Sequence, residues 1–191
     1  MKTVVVCTIL LCASLAFAQE SPEPQKPPAT KIEAFSARTG IVLIRGFSEM
    51  GTVKGMGKVS VDAREFRDAS NPKSQELGIS IEVKESGRLE RENRSFIDYD
   101  EIDSLIKGVD YIAKIDKTVT SMNNFEATYK TKGDFSITTF SDSRGEVSAA
   151  VSSGRIGRTT AYLSLTDLGT LKSLIINAKQ SLESMKKPLK K

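Results

Sequence analysis

The sequence predicts an α+β fold built from a tandem ββββα duplication, with antiparallel sheets and two amphipathic helices packed as one domain. Three observations support this prediction. Apolar and polar residues alternate strictly from Leu77 to Val83, which is the two-residue period of a half-buried strand. Apolar residues recur at spacings of three and four from Ile102 to Ala113, as on one face of a helix. Four strand-like segments followed by such a helix occur twice along the chain.

Four β-type segments precede the first helix, at 38–47, 52–63, 77–83 and 89–97. The apolar run Ile41–Ile44 in the first segment is expected to be buried. Gly51, Gly55 and Gly57 precede or interrupt the second, and they are interpreted as turn and bulge glycines because no phosphate-binding motif follows them. The polar stretch SNPKSQE (70–76) before the third segment is predicted to be a loop.

The first helix has a recognisable start. Asp98 is predicted to cap its N-terminus, and Glu101, three residues later, is predicted to complete a capping box. The apolar stripe that follows comprises Ile102, Leu105, Ile106, Val109, Ile112 and Ala113.

The second half repeats this plan. Its predicted strands lie near 124–131, 134–141, 145–153 and 158–164, and its helix carries Leu168, Leu171, Leu174, Ile175, Ala178 and Leu182 on one face. The two helix entries, SFIDYDEIDSL and AYLSLTDLGTL, align with one another. Aligned pairs are Phe96 with Tyr162, Ile97 with Leu163, Asp98 with Ser164, Glu101 with Asp167, Ile102 with Leu168 and Leu105 with Leu171. We therefore expect one duplicated domain over residues 31–185, with halves of about 31–117 and 118–185.

The order of elements over residues 38–184 resembles that of the Whirly and PUR families of single-stranded nucleic-acid-binding proteins. This resemblance implies a fold and rests on no diagnostic motif, so no family residue is transferred to this chain. A shared function does not follow from a shared fold. A nucleic-acid partner is also not expected for an exported protein.

Residues 1–18 have the pattern of a cleavable secretory signal. Lys2 precedes an apolar run from Val4 to Phe17, and the small residues Ala16 and Ala18 stand before the polar Gln19. The run is shorter than the roughly 20 residues that a helix needs to cross a bilayer. The sequence therefore predicts an exported protein, periplasmic or extracellular, with no transmembrane segment after cleavage.

The predicted mature chain lacks the two residue types most used in catalysis and metal binding. Cys7 and Cys12 both lie within the signal, and the chain contains no histidine. Serine–histidine and cysteine–histidine mechanisms are therefore excluded, together with the usual zinc, haem and iron–sulfur sites. We expect no catalytic residue, no cofactor and no metal site.

The positive charge of the chain is concentrated at its C-terminus. The chain has 28 basic and 24 acidic residues, but four of the lysines lie in the predicted basic tail, 186–191. Without these four and Lys2 the balance is 23 to 24. The segment 19–30 is rich in proline and is predicted to be a linker. Because the body is near neutral, nucleic-acid binding is not favoured.

Two groups of charged residues could carry chemistry. Asp98, Asp100, Glu101 and Asp103 are the place to look for a carboxylate-dependent hydrolase, although acidic residues also gather in the first turn of a helix because its dipole favours them. Arg144, Arg155 and Arg158 lie on adjacent predicted hairpin loops and could hold an anionic group. These three arginines are the candidate anion-binding residues.

The function that these observations favour is a non-catalytic binding or structural module outside the cytoplasm, whose partner could be a protein or an envelope component. A carboxylate-dependent hydrolase is the first alternative. A binder of anionic polymers or nucleic acid is the second. The sequence does not indicate the oligomeric state.

Overall fold

The computed structural model describes residues 27–87, 90–142 and 144–186. It contains two four-stranded antiparallel sheets, each followed in the chain by a helix, which confirms the predicted tandem ββββα arrangement. The predicted signal, most of the linker and residues 187–191 of the tail lie outside the described residues. Among the helices that are described, none combines the length and the apolar character needed to cross a membrane.

The helix and strand bounds are as follows. The first half comprises α1 (Lys31–Ser36), β1 (Leu43–Gly55), β2 (Gly57–Asp68), β3 (Asn71–Lys84), β4 (Glu92–Asp98) and α2 (Ile102–Ile112). The second half comprises β5 (Glu126–Lys130), β6 (Ser136–Ser141), β7 (Val147–Ser153), β8 (Thr159–Leu163) and α3 (Leu165–Lys186). Each sheet is a meander, β1-β2-β3-β4 in the first sheet and β5-β6-β7-β8 in the second.

The two helices are exchanged between the sheets. Helix α3, from the second half, packs across β1, β2 and β3 of the first sheet, while α2 packs on β5 and β6 of the second. Leu174 lies so close to the first sheet that its Cδ2 is 3.0 Å from the position a Cβ would take on Gly51. The apolar faces of both sheets and both helices form one continuous buried cluster, so the halves share a core.

Polar contacts also join the two halves. Met56, at the tip of the β1–β2 hairpin, exchanges two backbone hydrogen bonds of 2.9 Å with Tyr162 on β8. Glu85 accepts a hydrogen bond of 3.0 Å from the Thr160 backbone N–H. Through these two contacts the first sheet covers much of the β8 edge.

The two helices are also joined directly. Lys172 and Lys179 of α3 pair with Asp110 and Asp103 of α2 at 2.5 and 2.7 Å.

The structure corrects three local predictions in the first half. The run Ile41–Ile44 is not buried, since Val42 and Ile44 are 70% and 48% exposed, just before and at the start of edge strand β1. The predicted second strand is divided by a tight turn at Gly55–Gly57, while a register shift at Gly51 confirms the bulge. The predicted loop 70–76 mostly belongs to β3, because β2 and β3 continue pairing beyond the core.

Helix α1 was absent from the predicted elements. Thr30 caps it, accepting a hydrogen bond of 3.1 Å from Glu33 N, and the Glu33 carboxylate accepts one from Thr30 N in return. Ile32 and Phe35 pack on the outer face of the first sheet against Phe66, as a small second cluster. The last residues of the predicted linker thus belong to the folded domain.

Candidate anion-binding site

The outer face of the second sheet is lined with hydroxyl groups. Residues paired across its strands form two rows, Lys130, Ser136, Ser152 and Thr160, then Thr128, Thr138, Ala150 and Tyr162. Hydrogen bonds between hydroxyl oxygens order these rows, at 2.8 Å for Thr128 with Thr138 and 2.9 Å for Ser152 with Thr160. Phe140 and Tyr162 meet edge to face, with ring centroids 6.4 Å apart. Ser136 and Ser152 are buried, so the hydroxyl groups that can bond to a ligand are those of the exposed or half-buried Thr128, Thr138, Thr160 and Tyr162. The two rings can add aromatic contacts.

A basic pocket of about 260 Å³ lies at one end of this face. Arg155 and Arg158 reach it from the β7–β8 turn, and Lys130 reaches it from the end of β5. One carboxylate, Asp134, also lines the pocket. Three cations and one anion leave an excess of two positive charges, which favours an anionic ligand.

Asp134 orients two of the three cations. It lies in the β5–β6 turn with a positive φ of 60°, and its carboxylate pairs with Arg155 and, at 2.9 Å, with Lys130. Burial opposes ionisation of this carboxyl, but the hydrogen bonds and charges of Lys130 and Arg155 outweigh burial and lower its pKa. Asp134 therefore stays ionised at neutral pH and holds the pocket's cations in place.

Arg158 is held differently. Its Nη2 donates a hydrogen bond of 2.7 Å to Ser136 Oγ, and Ser136 is buried within β6. In the described part of the chain this is the one side-chain hydrogen bond that Arg158 makes. A guanidinium has five N–H donors, so the others can serve a ligand. Gly154, with a φ of +98°, allows the sharp turn that brings Arg155 and Arg158 to the pocket.

The structure separates the third predicted arginine from the other two. Arg144 lies in the β6–β7 turn, whereas Arg155 and Arg158 lie in the β7–β8 turn. Successive turns of a meander alternate between opposite ends of a sheet, and the seven residues of β7 put about 20 Å between them. The three arginines therefore do not form one cluster, and anion binding by Arg155 and Arg158 stays a prediction.

Lys130, Asp134 and Ser136 were not among the predicted site residues. The sequence held a usable signal, since the β5–β6 and β7–β8 turns must share one end of a four-stranded meander. Because the chain reverses direction at every turn, Arg155 could have been placed at the same end of the sheet as the charged residues of the Lys132–Asp134 turn. Arg144 would then have been placed at the opposite end. Side-chain contacts such as Arg158 with Ser136 depend on the twist of the sheet, which no local sequence pattern specifies.

The four acidic residues at 98–103 have separate structural partners. Asp98 does not cap α2 as predicted; its buried carboxylate turns away and accepts hydrogen bonds from Lys31 N and Ile32 N of α1 at 2.8 and 3.2 Å. Glu101 accepts from Lys132 N at 2.9 Å instead of completing a capping box. Asp100 and Asp103 pair with Lys31 and Lys179.

The equivalent positions before α3 do form the box. Asp167 N donates to Ser164 Oγ at 3.1 Å, and Ser164 N donates to the Asp167 carboxylate at 3.0 Å. The two aligned helix entries thus differ in their capping. The difference follows from α1, whose free amides attract Asp98 and have no counterpart in the second half.

No group of three or more acidic, histidine or cysteine side chains is arranged to hold a metal ion within 27–87, 90–142 and 144–186. The comparisons with known proteins give no match, whether to a family model, to a curated protein or to a solved structure.

Proposed function

We propose that this protein is an exported, non-catalytic binding module that holds an anionic ligand on the outer face of its second sheet. The observation that carries this proposal is the convergence of Lys130, Arg155 and Arg158 at one pocket beside a face lined with hydroxyl groups. A ligand with repeated acidic groups and sugar-like hydroxyls fits this surface best. An acidic polysaccharide of an envelope or extracellular matrix has that chemistry.

The distribution of carboxylates supports a binding role over a hydrolytic one. A carboxylate-dependent glycosidase needs two acidic side chains facing a cleft across the bond to be cleaved. In the polar depression on the first sheet, Asp62 pairs with Arg64 at 2.5 Å and Glu82 pairs with Arg94. In the basic pocket Asp134 is held by two cations. Asp62, Glu82 and Asp134 each have a cationic partner, which leaves Glu49 as the one carboxylate lining either pocket that has no side-chain partner among the described residues.

Binding of dextran sulfate to the purified protein, measured by isothermal titration calorimetry, tests the proposal. Arg158→Ala should weaken binding about tenfold or more, because a hydrogen bond to a charged group contributes roughly 1.5–3 kcal/mol. Arg144→Ala removes the same charge from the opposite end of β7 and should leave the affinity unchanged. Added salt should weaken binding of the parent protein.

Two results would count against the proposal. Equal losses for Arg158→Ala and Arg144→Ala would mean that only total charge matters. Neutral dextran binding as tightly as dextran sulfate would remove the role of the cations. Single-stranded DNA serves as a further probe, and preferential binding of DNA at equal phosphate and sulfate concentration would favour the nucleic-acid alternative instead.

Export is tested separately by the intact mass of the secreted protein. Cleavage after Ala18 gives a chain that begins at Gln19. A mass that includes residues 1–18 would contradict the predicted signal without affecting the binding proposal.

A further inference from the structure

The second sheet has one covered edge and one open edge. Its β8 edge is met by Met56 and by the Glu85 carboxylate, which engage Tyr162 and the Thr160 backbone N–H. Its β5 edge, Glu126–Lys130, pairs only with β6 among the described elements. A strand edge without proline or a bulge is a template for pairing with another strand. β5 has neither feature.

The pattern of hydrogen bonds between β5 and β6 shows which backbone groups of β5 face outward. Thr131 N donates to Phe135 O and Ser141 N donates to Phe125 O, so odd-numbered residues of β5 bond to β6. Bonded and non-bonded pairs alternate along an antiparallel ladder. The N–H and C=O groups of Glu126, Thr128 and Lys130 therefore point away from β6. In the part of the chain that the structure describes, none of them has a hydrogen-bond partner.

The charges of β5 are complementary to a second, antiparallel β5. If a two-fold axis passes through Thr128, Glu126 lies opposite Lys130 of the second copy, and Lys130 lies opposite its Glu126. The same register places Thr128 opposite itself and Ala127 opposite Tyr129. Moving the axis by one residue pairs fewer strand residues and takes Glu126 out of line with Lys130. If the axis is moved by two residues, residues of the same charge lie opposite each other, which is unfavourable.

An apolar groove continues from this edge on the inner side of the sheet. It has a volume of about 530 Å³ and lies between α2 and β5. The groove is lined by Tyr111 and Ile112 from the helix, by Ile115 just after its end, and by Ala127 and Tyr129 from the strand. Tyr111 is 69% exposed. A strand added beside β5 would cover this groove, and Tyr129 of the second copy would lie opposite the small side chain of Ala127.

We propose that two copies of the protein associate through antiparallel pairing of their β5 strands, with a two-fold axis at Thr128. The dimer joins the two second sheets into one continuous eight-stranded sheet. Both outer faces then lie on the same side, with one basic pocket from each copy. The dimer rests on the β5 edge and the groove, and it does not depend on the identity of the ligand.

Sedimentation velocity of the purified protein over a concentration series tests the pairing through a charge exchange. Glu126→Lys and Lys130→Glu each place like charges opposite one another at two symmetric positions, and each should weaken dimerisation about tenfold. The double variant E126K/K130E restores opposite charges in the same register and should recover the parent's association. Self-association is measured instead of ligand binding, because Lys130 also lines the basic pocket and its replacement should change ligand binding as well.

A cysteine variant reports the register directly. Thr128→Cys should give a disulfide-linked dimer on a non-reducing gel, because bonded antiparallel pairs place Cα atoms about 5.5 Å apart, within disulfide range. Thr138→Cys is the matched control, one strand inward on the same face, and should remain unlinked. A monomer at all concentrations, a dimer insensitive to both single charge reversals, or equal linking of the two cysteine variants would each overturn the proposal.

Discussion

Asp98 connects two segments that are 66 residues apart in the chain. Asp98 is 3% exposed, and its carboxylate accepts hydrogen bonds from two backbone amides in the first turn of α1. This contact joins the N-terminal helix to the end of β4. A single buried side chain thus fixes the position of the first helix on the outer face of the first sheet.

Replacing Asp98 by Ala should lower the free energy of unfolding by about 2 kcal/mol, because two backbone N–H groups lose a charged partner. Asp100→Ala is the control. It removes only an exposed ion pair with Lys31, and should cost less than about 1 kcal/mol. Urea denaturation monitored by circular dichroism measures both. Equal costs for the two variants would contradict the capping role of Asp98.

Glu85 links stability to pH. The Thr160 backbone N–H and then the Arg91 guanidinium lower the pKa of its carboxyl below the ordinary 4.5. Its stabilising contribution is therefore complete above about pH 4.5 and is lost as the pH falls through the lowered pKa. The parent should exceed Glu85→Gln in stability at pH 7, and the gap should narrow in acid. Urea titrations at several pH values measure the gap, and a constant gap would contradict this assignment.

At the scale of elements, regular patterns were predictable and edges were not. The strict alternation of Leu77–Val83 and the stripes of α2 and α3 identify elements whose buried faces follow a fixed period. The run Ile41–Ile44 misled because apolar character alone does not show that a segment lies at the start of an edge strand. Helix α1 is too short to show a period, and its capping box lay within a segment dominated by proline.

Only part of the candidate site was predictable, because a turn's position in the fold depends on the order of the strands. Arg155 and Arg158 could be placed on one turn from glycine spacing, but Arg144 was assigned to them without regard to which end of the sheet each turn occupies. The open β5 edge could not be found from sequence. Its neighbours depend on strand order and on the placement of α2, which are properties of the assembled fold.

Replacement by alanine should affect stability differently at the glycines of the two long helices. Gly169 in α3 has no neighbour within 4 Å of a Cβ, so Gly169→Ala should stabilise the protein by about 0.5–1 kcal/mol through helix propensity. In α2 the corresponding Cβ on Gly108 would lie 2.5 Å from the Tyr129 ring. Gly108→Ala should lose that gain or be destabilising. Thermal unfolding compares them, and equal stabilisation would contradict the close packing of α2 on β5.

For the whole molecule, the central feature is the exchange of helices. Each sheet is covered mainly by the helix that follows the other sheet in the chain, and the two helices are joined by Lys172 and Lys179. The β1–β2 hairpin adds a second connection at Tyr162. Neither half can bury its sheet without the other, which is why the two ββββα halves form one core.

Gly55→Ala tests the connection between the sheets. A Cβ there would lie 2.3 Å from the Tyr162 carbonyl oxygen, so the hairpin must move away from β8. We expect a loss of at least about 2 kcal/mol in unfolding free energy by urea denaturation. Gly46→Ala, on the same strand, meets only the Glu65 side chain at 3.5 Å and should change stability by less than about 0.5 kcal/mol. Similar effects for both variants would mean that the hairpin contact is dispensable.

The exchange of helices also determines when the protein can fold during its synthesis. The apolar face formed by Val59, Val61, Ile79 and Ile81 is complete once β3 has been made, but α3, which covers it, is built from Leu165 onward. Until then the growing chain carries an uncovered sheet, the kind of surface that chaperones bind and that aggregates. The shared core therefore cannot be completed until nearly all of the described chain has been synthesised.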